Sequence, residues 1–392
     1  MNHRIGLVFA ALLVLVLALA GCASAPSQLP PDGILHDAMF DKPSQPIRAA
    51  DVFAVSPEMK AFLASDIARL VRLKGTRQGL FEALHDKAGL SLDYDAAVTR
   101  NAAEAFAARK GNCLALVIMT AAFAKEMGLA VRFQNVFTDE TWSRSGDFYL
   151  SIGHVNVTIR GTYVEPGYGQ YDRNEMTIDF LPPADLGNLR FWVIDESTIV
   201  AMYMNNRAVE ALIGGHVNDA YWWAREALLQ DPHFLSASNT LGVVYRAHGN
   251  LAEAQHALEY VLAREPANTT SMSNLVAVLD QRGDRAGARR LAVQLARIEP
   301  SPPFAYFKRG LAAMKAGDYR LARDMFAREV DRAAYYHEFR FWLALADAGM
   351  GDMEQARANM AVALENGPTK ADRDLYAAKL ARLQAMTPVI RR

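Results

Sequence analysis

Cysteine is almost missing from this 392-residue chain, which has only Cys22 and Cys113. Two cysteines with separate duties leave no internal disulfide, so the fold must rest on packing alone. Neither charge is in excess: 42 Lys and Arg stand against 43 Asp and Glu, for a net charge of −1. That balance gives no electrostatic reason to expect a nucleic-acid partner. The longest N-terminal apolar stretch, Ile5 to Leu19, is short of the roughly 20 residues that a comfortable membrane span needs. Close pairs of Cys and His, which make zinc sites convincing, do not occur. Neither a metal nor a cofactor is therefore expected.

What is present begins with an export pattern. Arg4, the apolar run Ile5 to Leu19 and the small residues Ala20-Gly21 mark residues 1–21 as a signal peptide. Leu19-Ala20-Gly21-Cys22 resembles the bacterial lipobox. The resemblance implies that Cys22 is lipidated and becomes the new N-terminus, which makes the membrane a partner on the periplasmic side of the cell envelope. Ala23, in place of an Asp, leans the expectation toward the outer membrane. Residues 22–56 hold Pro26, Pro30, Pro31, Gly33, Pro43 and Pro46, a composition that suits a tether with little structure. The remainder is long enough for two domains.

The C-terminal half is periodic. Gly215, Gly249, Gly283, Gly317 and Gly351 lie 34 residues apart, and five positions after each comes Ala220, Ala254, Ala288, Ala322 or Ala356. Pro232, Pro266, Pro300 and Pro368 keep the same register, while Ala334 replaces the fourth proline. A glycine permits the tight turn, often with φ > 0, between the two helices of a hairpin. His216, Asn250, Asp284, Asp318 and Asp352 follow as turn or capping residues. The alanine stands where helices cross closely, and the proline stops the second helix. This register resembles the tetratricopeptide repeat family, with five units over residues 199–368 and a last helix within 369–392. Leu241, Gly242 and Tyr245 fit the same pattern. The resemblance implies a concave groove for a protein or peptide, lined by Asn205, Asn239 and Ser273. Phe307 and Phe341 share that position in later units. Aromatics at helical spacing are more often core, here against the last helix at Asp372 to Met386.

Residues 57–198 change character. Met59 to Leu73, Thr99 to Ala108 and Cys113 to Met127 show helical spacing, with Thr99 as N-cap of the second. Strands are predicted at Ala130 to Phe137, Phe148 to Ile159, Tyr163 to Glu165, Met176 to Leu181 and Phe191 to Val193. Helices followed by a mostly antiparallel sheet give an α+β domain. Cys113 opens its helix, where a nucleophilic thiolate is favoured. His154 and Asn156 share one strand face, with Val155 and Val157 on the other, and Asp179 sits near the end of a later strand. A histidine can take the thiol proton, and an aspartate can fix its tautomer.

The helix-start cysteine, the strand Gly153-His154-Val155-Asn156-Val157 and the strand Ile178-Asp179-Phe180 resemble the transglutaminase-like fold of the papain superfamily. Cys, His and Asp follow in order at spacings of 41 and 25 residues. The resemblance implies catalytic Cys113 as nucleophile, His154 as general base and acid, and Asp179 as orienting residue. The implied activity is amide or ester hydrolysis, or acyl transfer through a thioester. The Cys113 N–H is the first candidate donor to the oxyanion, with Gln134 and Asn135 candidates for a second. The fold class is thus an α+β transglutaminase-like domain followed by an all-α tetratricopeptide-repeat solenoid. The expected function is a lipid-anchored cysteine hydrolase or acyltransferase whose repeats recruit a peptide or protein. The alternative is a non-catalytic scaffold lipoprotein that binds envelope proteins.

Overall fold

The computed structural model describes residues 33–85, 90, 92–95, 98–145, 148–160, 175–180, 190–301, 303–334, 336–367 and 369–386. The signal peptide, Cys22, Pro368 and the strand predicted at Tyr163 to Glu165 lie outside the described residues.

The first domain is α+β. Ser56 caps α1 (Pro57–Phe62) by accepting the Met59 N–H at 3.2 Å, and Pro57 fills the first turn, where no N–H is needed. A π turn (Leu63–Ile67) leads into α2 (Ala68–Lys74), and α3 (Thr76–His85) follows. Next come β1 (Asp93–Tyr94), α4 (Ala102–Ala108), β2 (Lys110–Gly111) and α5 (Cys113–Glu126). Residues Cys113 to Ala124 of α5 are all buried, so this helix is central rather than a surface element. The sheet is β3 (Ala130–Ser145), β4 (Phe148–Arg160), β5 (Glu175–Ile178) and β6 (Arg190–Ile194), in the order β5-β4-β3-β6 with antiparallel neighbours. The parallel pair β1–β2 is too short to leave a periodic signal in the sequence.

Five helical hairpins follow: α6 (Glu196–Ile213) with α7 (Val217–Gln230), α8 (Leu235–His248) with α9 (Leu251–Arg264), and α10 (Thr269–Gln281) with α11 (Arg285–Ile298). Then come α12 (Ala305–Ala316) with α13 (Tyr319–Arg332), and α14 (His337–Met350) with α15 (Met353–Glu365), closed by α16 (Lys370–Ala385). The five register glycines all have positive φ, from 76° to 94°. The five register alanines are at most 6 % exposed. Asp284, Asp318 and Asp352 cap their helices with side-chain oxygens, whereas His216 and Asn250 make no such bond.

One expectation is corrected here. The described part of the tether, residues 33–56, is not loose. It carries 3-10 turns at Asp37–Met39 and Ala49–Asp51 and lies across the first two hairpins. Phe40 stacks on Tyr221 with ring centroids 4.0 Å apart, the Tyr245 hydroxyl donates to the Ile34 carbonyl at 2.7 Å, and Tyr221 donates to Asp37 at 2.6 Å. The Trp222 indole N–H donates to the Asp41 carbonyl at 2.6 Å. Regular structure in this strap, residues 33–56, is limited to those turns, yet Ile34, Phe40 and Val52 bury their apolar surface.

The aromatics of the later units are packed rather than groove-lining, Phe341 against the last helix and Phe307 against other partners. Phe307 is 1 % exposed and packs on Phe304, Phe326 and Phe339, so it belongs to the core and not to a groove. Phe341 meets Tyr376 of α16 at 5.0 Å between ring centroids. The change from α+β to all-α falls at α6, which starts at Glu196. The core does not break there. One apolar cluster runs from Ile34 through α5 and the sheet to Val278 of α10, and separate clusters serve the later hairpins.

Candidate functional site

Local sequence brings Cys113 to its place. α4 begins with a reciprocal capping box, in which Asn101 accepts the Glu104 N–H at 2.9 Å and Glu104 accepts the Asn101 N–H at 3.1 Å. Asn101, not Thr99, is therefore its N-cap. Arg109 ends α4 in the left-handed region at φ 51° and turns the chain into β2. There the Asp93 and Asp95 N–H groups donate to the carbonyls of Arg109 and Gly111 at 2.9 and 3.0 Å. A Cβ at Gly111 would stand 2.8 Å from the Ala115 side chain, so only glycine allows this approach to α5. Asn112 then caps α5 by accepting the Ala115 N–H at 2.9 Å, and Cys113 is the first helical residue. Cys113 is a free, buried thiol, 8 % exposed.

The sheet supplies the other two groups. His154 of β4 stands opposite Val136 of β3, and Asp179 follows the last residue of β5. Nε2 of His154 lies 2.7 Å from Oδ1 of Asp179, and Asn156 donates to the other carboxylate oxygen at 3.0 Å. The His154 and Asp179 side chains are 5 % and 7 % exposed. Burial alone would lower the His154 pKa. The hydrogen bond to Asp179 and the interaction with the Cys113 side chain outweigh it and raise the value to about 9. With Nε2 engaged by Asp179, Nδ1 is the ring nitrogen left for the thiol. The three residues picked out by order and spacing thus meet in one place. Among the described residues no group of three His, Cys, Asp or Glu is arranged to hold a metal ion.

Tyr94 was missed by sequence reasoning. The β1–β2 register sets it opposite Gly111, and its hydroxyl meets the backbone N–H of Cys113. Burial of that hydroxyl, reinforced by the neighbouring Cys113, keeps its pKa above the ordinary value, although the residue as a whole is 39 % exposed. The N–H expected to face an oxyanion is therefore already in contact with a phenol. Gln134 is 2 % exposed and stands opposite Asn156. Asn135, opposite Val155, is half-buried. No signal in the sequence distinguished Tyr94 from other tyrosines, because its role depends on a two-residue parallel pairing.

Of the groove residues, Asn205 is half-buried, and its amide oxygen meets no donor among the described residues. Asn239 accepts from the Ser271 hydroxyl and the Asn274 amide, both at 3.0 Å, so it ties α8 to α10. Ser273 is exposed.

The tetratricopeptide repeat family matches residues 239–303 and 307–371, and the C-terminal region is built of these repeats. Similar solved structures include a thermophilic TPR protein of Thermus thermophilus, 20 % identical, covering 47 % of this chain and 100 % of its own, with a TM-score of 0.28. The MamA protein is 18 % identical and covers 45 % of this chain and 96 % of its own, with a TM-score of 0.25. YrrB, described as a TPR protein with an unusual peptide-binding site, is 20 % identical and covers 46 % and 92 %, with a TM-score of 0.25. No curated protein matches the chain.

Proposed function

We propose that this chain is a platform that binds a protein or peptide through its tetratricopeptide repeats. The observation that carries the reading is the uninterrupted series of five hairpins, since stacked hairpins expose a continuous curved surface suited to extended partners. Asn205 and Ser273 are the groove residues that remain available to a ligand. A partner isolated from cell-envelope extract should bind the full-length protein and lose at least about tenfold in affinity to Ser273→Arg, an exposed change that leaves the core intact. Unchanged affinity would remove the groove from this reading.

A second reading is favoured by one observation, the meeting of Cys113, His154 and Asp179. In it, the first domain is transglutaminase-like and performs hydrolysis or acyl transfer on the recruited partner. His154, held protonated by Asp179, supports Cys113 as thiolate. The sulfur attacks an acyl carbonyl, and the carbonyl electron pair moves to oxygen beside the Cys113 N–H. As the tetrahedral species collapses, the C–N bond breaks and His154 gives its proton to the leaving amine. Water then adds to the thioester, with His154 taking back a proton, the C–S bond breaks to return the Cys113 sulfur as thiolate, and the free acid leaves. The substrate carbonyl must share or displace the Tyr94 hydroxyl at that N–H. Iodoacetamide should label the Cys113 peptide faster than a model thiol, and His154→Ala should abolish the difference. Equally slow labelling of both leaves the binding platform alone. Lipidation at Cys22, and with it a place in the outer membrane, belongs to the same proposal and rests on the lipobox resemblance.

A further inference from the structure

Thr99 is 2 % exposed and bonds to residues more than a hundred positions further along the chain. Its hydroxyl oxygen accepts from the Asn112 amide at 2.8 Å and from the Asn206 amide at 3.2 Å. Its backbone N–H donates to a Glu210 carboxylate oxygen at 2.6 Å, and its carbonyl accepts from the Arg207 guanidinium at 3.4 Å. Asn206, Arg207 and Glu210 all belong to α6, the first helix of the first hairpin. Asn112 is the N-cap of the Cys113 helix.

A single side chain thus takes hydrogen bonds from both domains, and every backbone polar group of Thr99 is matched by α6. The consequence falls on Asn112. Its amide oxygen caps the Ala115 N–H, and its amide nitrogen is held by Thr99. With the nitrogen fixed, the oxygen points in one direction. Without that hold the amide is free to rotate, the cap weakens and the first turn of α5 frays. Cys113 is the first residue of that turn, so the direction of its thiol and of its backbone N–H depends on the cap. A bond whose only duty was to glue two domains together has no need to end on this asparagine.

We propose that Thr99 is a positioning residue for Cys113, through which the first repeat helix fixes the Asn112 cap and the turn that carries the thiol. The inference rests on the reading of Cys113 as a nucleophile. The repeat region is then part of the reactive unit, and a partner that displaces α6 alters the thiol directly.

The test uses the full-length protein and follows iodoacetamide labelling of the Cys113 peptide by mass spectrometry across mildly acid to mildly alkaline pH. Thr99→Val keeps the shape and removes the hydroxyl. It is expected to slow labelling about fivefold and to change the pH profile, and Thr99→Ser is expected to restore both. Asn206→Ala, which acts from the repeat side, is expected to slow labelling by a smaller factor and serves if Thr99→Val does not fold. Hydrogen exchange at the amides from Leu114 to Leu116 should accelerate in the same variants. Labelling and exchange at wild-type rates in both Thr99→Val and Asn206→Ala overturn the positioning role. If the wild-type thiol itself labels like a model thiol with or without His154, the nucleophile reading fails first and takes this inference with it.

Discussion

Nε2 of His154 and Oδ1 of Asp179 are 2.7 Å apart, and both side chains are shut away from solvent. The pair holds a proton on the ring that burial alone would remove. The His154 pKa of about 9 lies above the ordinary 6.5, so the folded protein binds this proton more tightly than the unfolded chain. The resulting stability is fully present below the unfolded value and is lost as pH rises through the folded one. Urea unfolding of wild type and His154→Gln at several pH values should show a wild-type advantage that shrinks by roughly 1–3 kcal/mol between neutral and alkaline pH. A difference that stays flat with pH contradicts the assignment.

Asp179→Asn keeps an acceptor near the ring but removes the charge that favours the imidazolium. Cys113 labelling at neutral pH should slow by about tenfold or more, with little change in circular dichroism. Wild-type labelling in this variant would detach the carboxylate from the thiol's chemistry.

The strap should prove structural. Phe40 is 8 % exposed and stacks on Tyr221, so Phe40→Ala is expected to cost about 3 kcal/mol by urea unfolding. Proteolysis within residues 33–56 should quicken at the same time. An unchanged midpoint would return this segment to the status of a loose tether.

Two glycines should fail for different reasons. Gly249 has φ 94° and open space around a built Cβ, so Gly249→Ala should cost only the backbone strain, about 1 kcal/mol. Gly310 has no such φ, but a Cβ there would lie 2.5 Å from the Phe326 ring. Gly310→Ala should therefore cost more, in the range of overpacked cores, about 1–3 kcal/mol. Denaturant midpoints of the two variants provide the comparison. Equal costs would contradict the distinction.

Much of the repeat region was legible in the sequence because each hairpin is local. A turn glycine, the alanine five residues later and a stop proline act within one unit, and a period of 34 repeats the message. The helix start at Cys113 and the alternation around His154 were legible for the same reason. What the sequence concealed depends on partners far along the chain. The core reading of Phe307 pointed to the last helix, whereas its partners are Phe326 and Phe339. Phe40 stands among prolines, and its partner Tyr221 is in another domain. Thr99 has the chemistry of a helix cap, but the Asn101–Glu104 box takes that place and leaves its hydroxyl to Asn112 and Asn206. Local propensity and period determined which helices and strands form. Only the tertiary structure decided that the strap, the sheet and the first repeats share one core, because burial rewards any apolar surface that can reach it, whatever its distance in sequence.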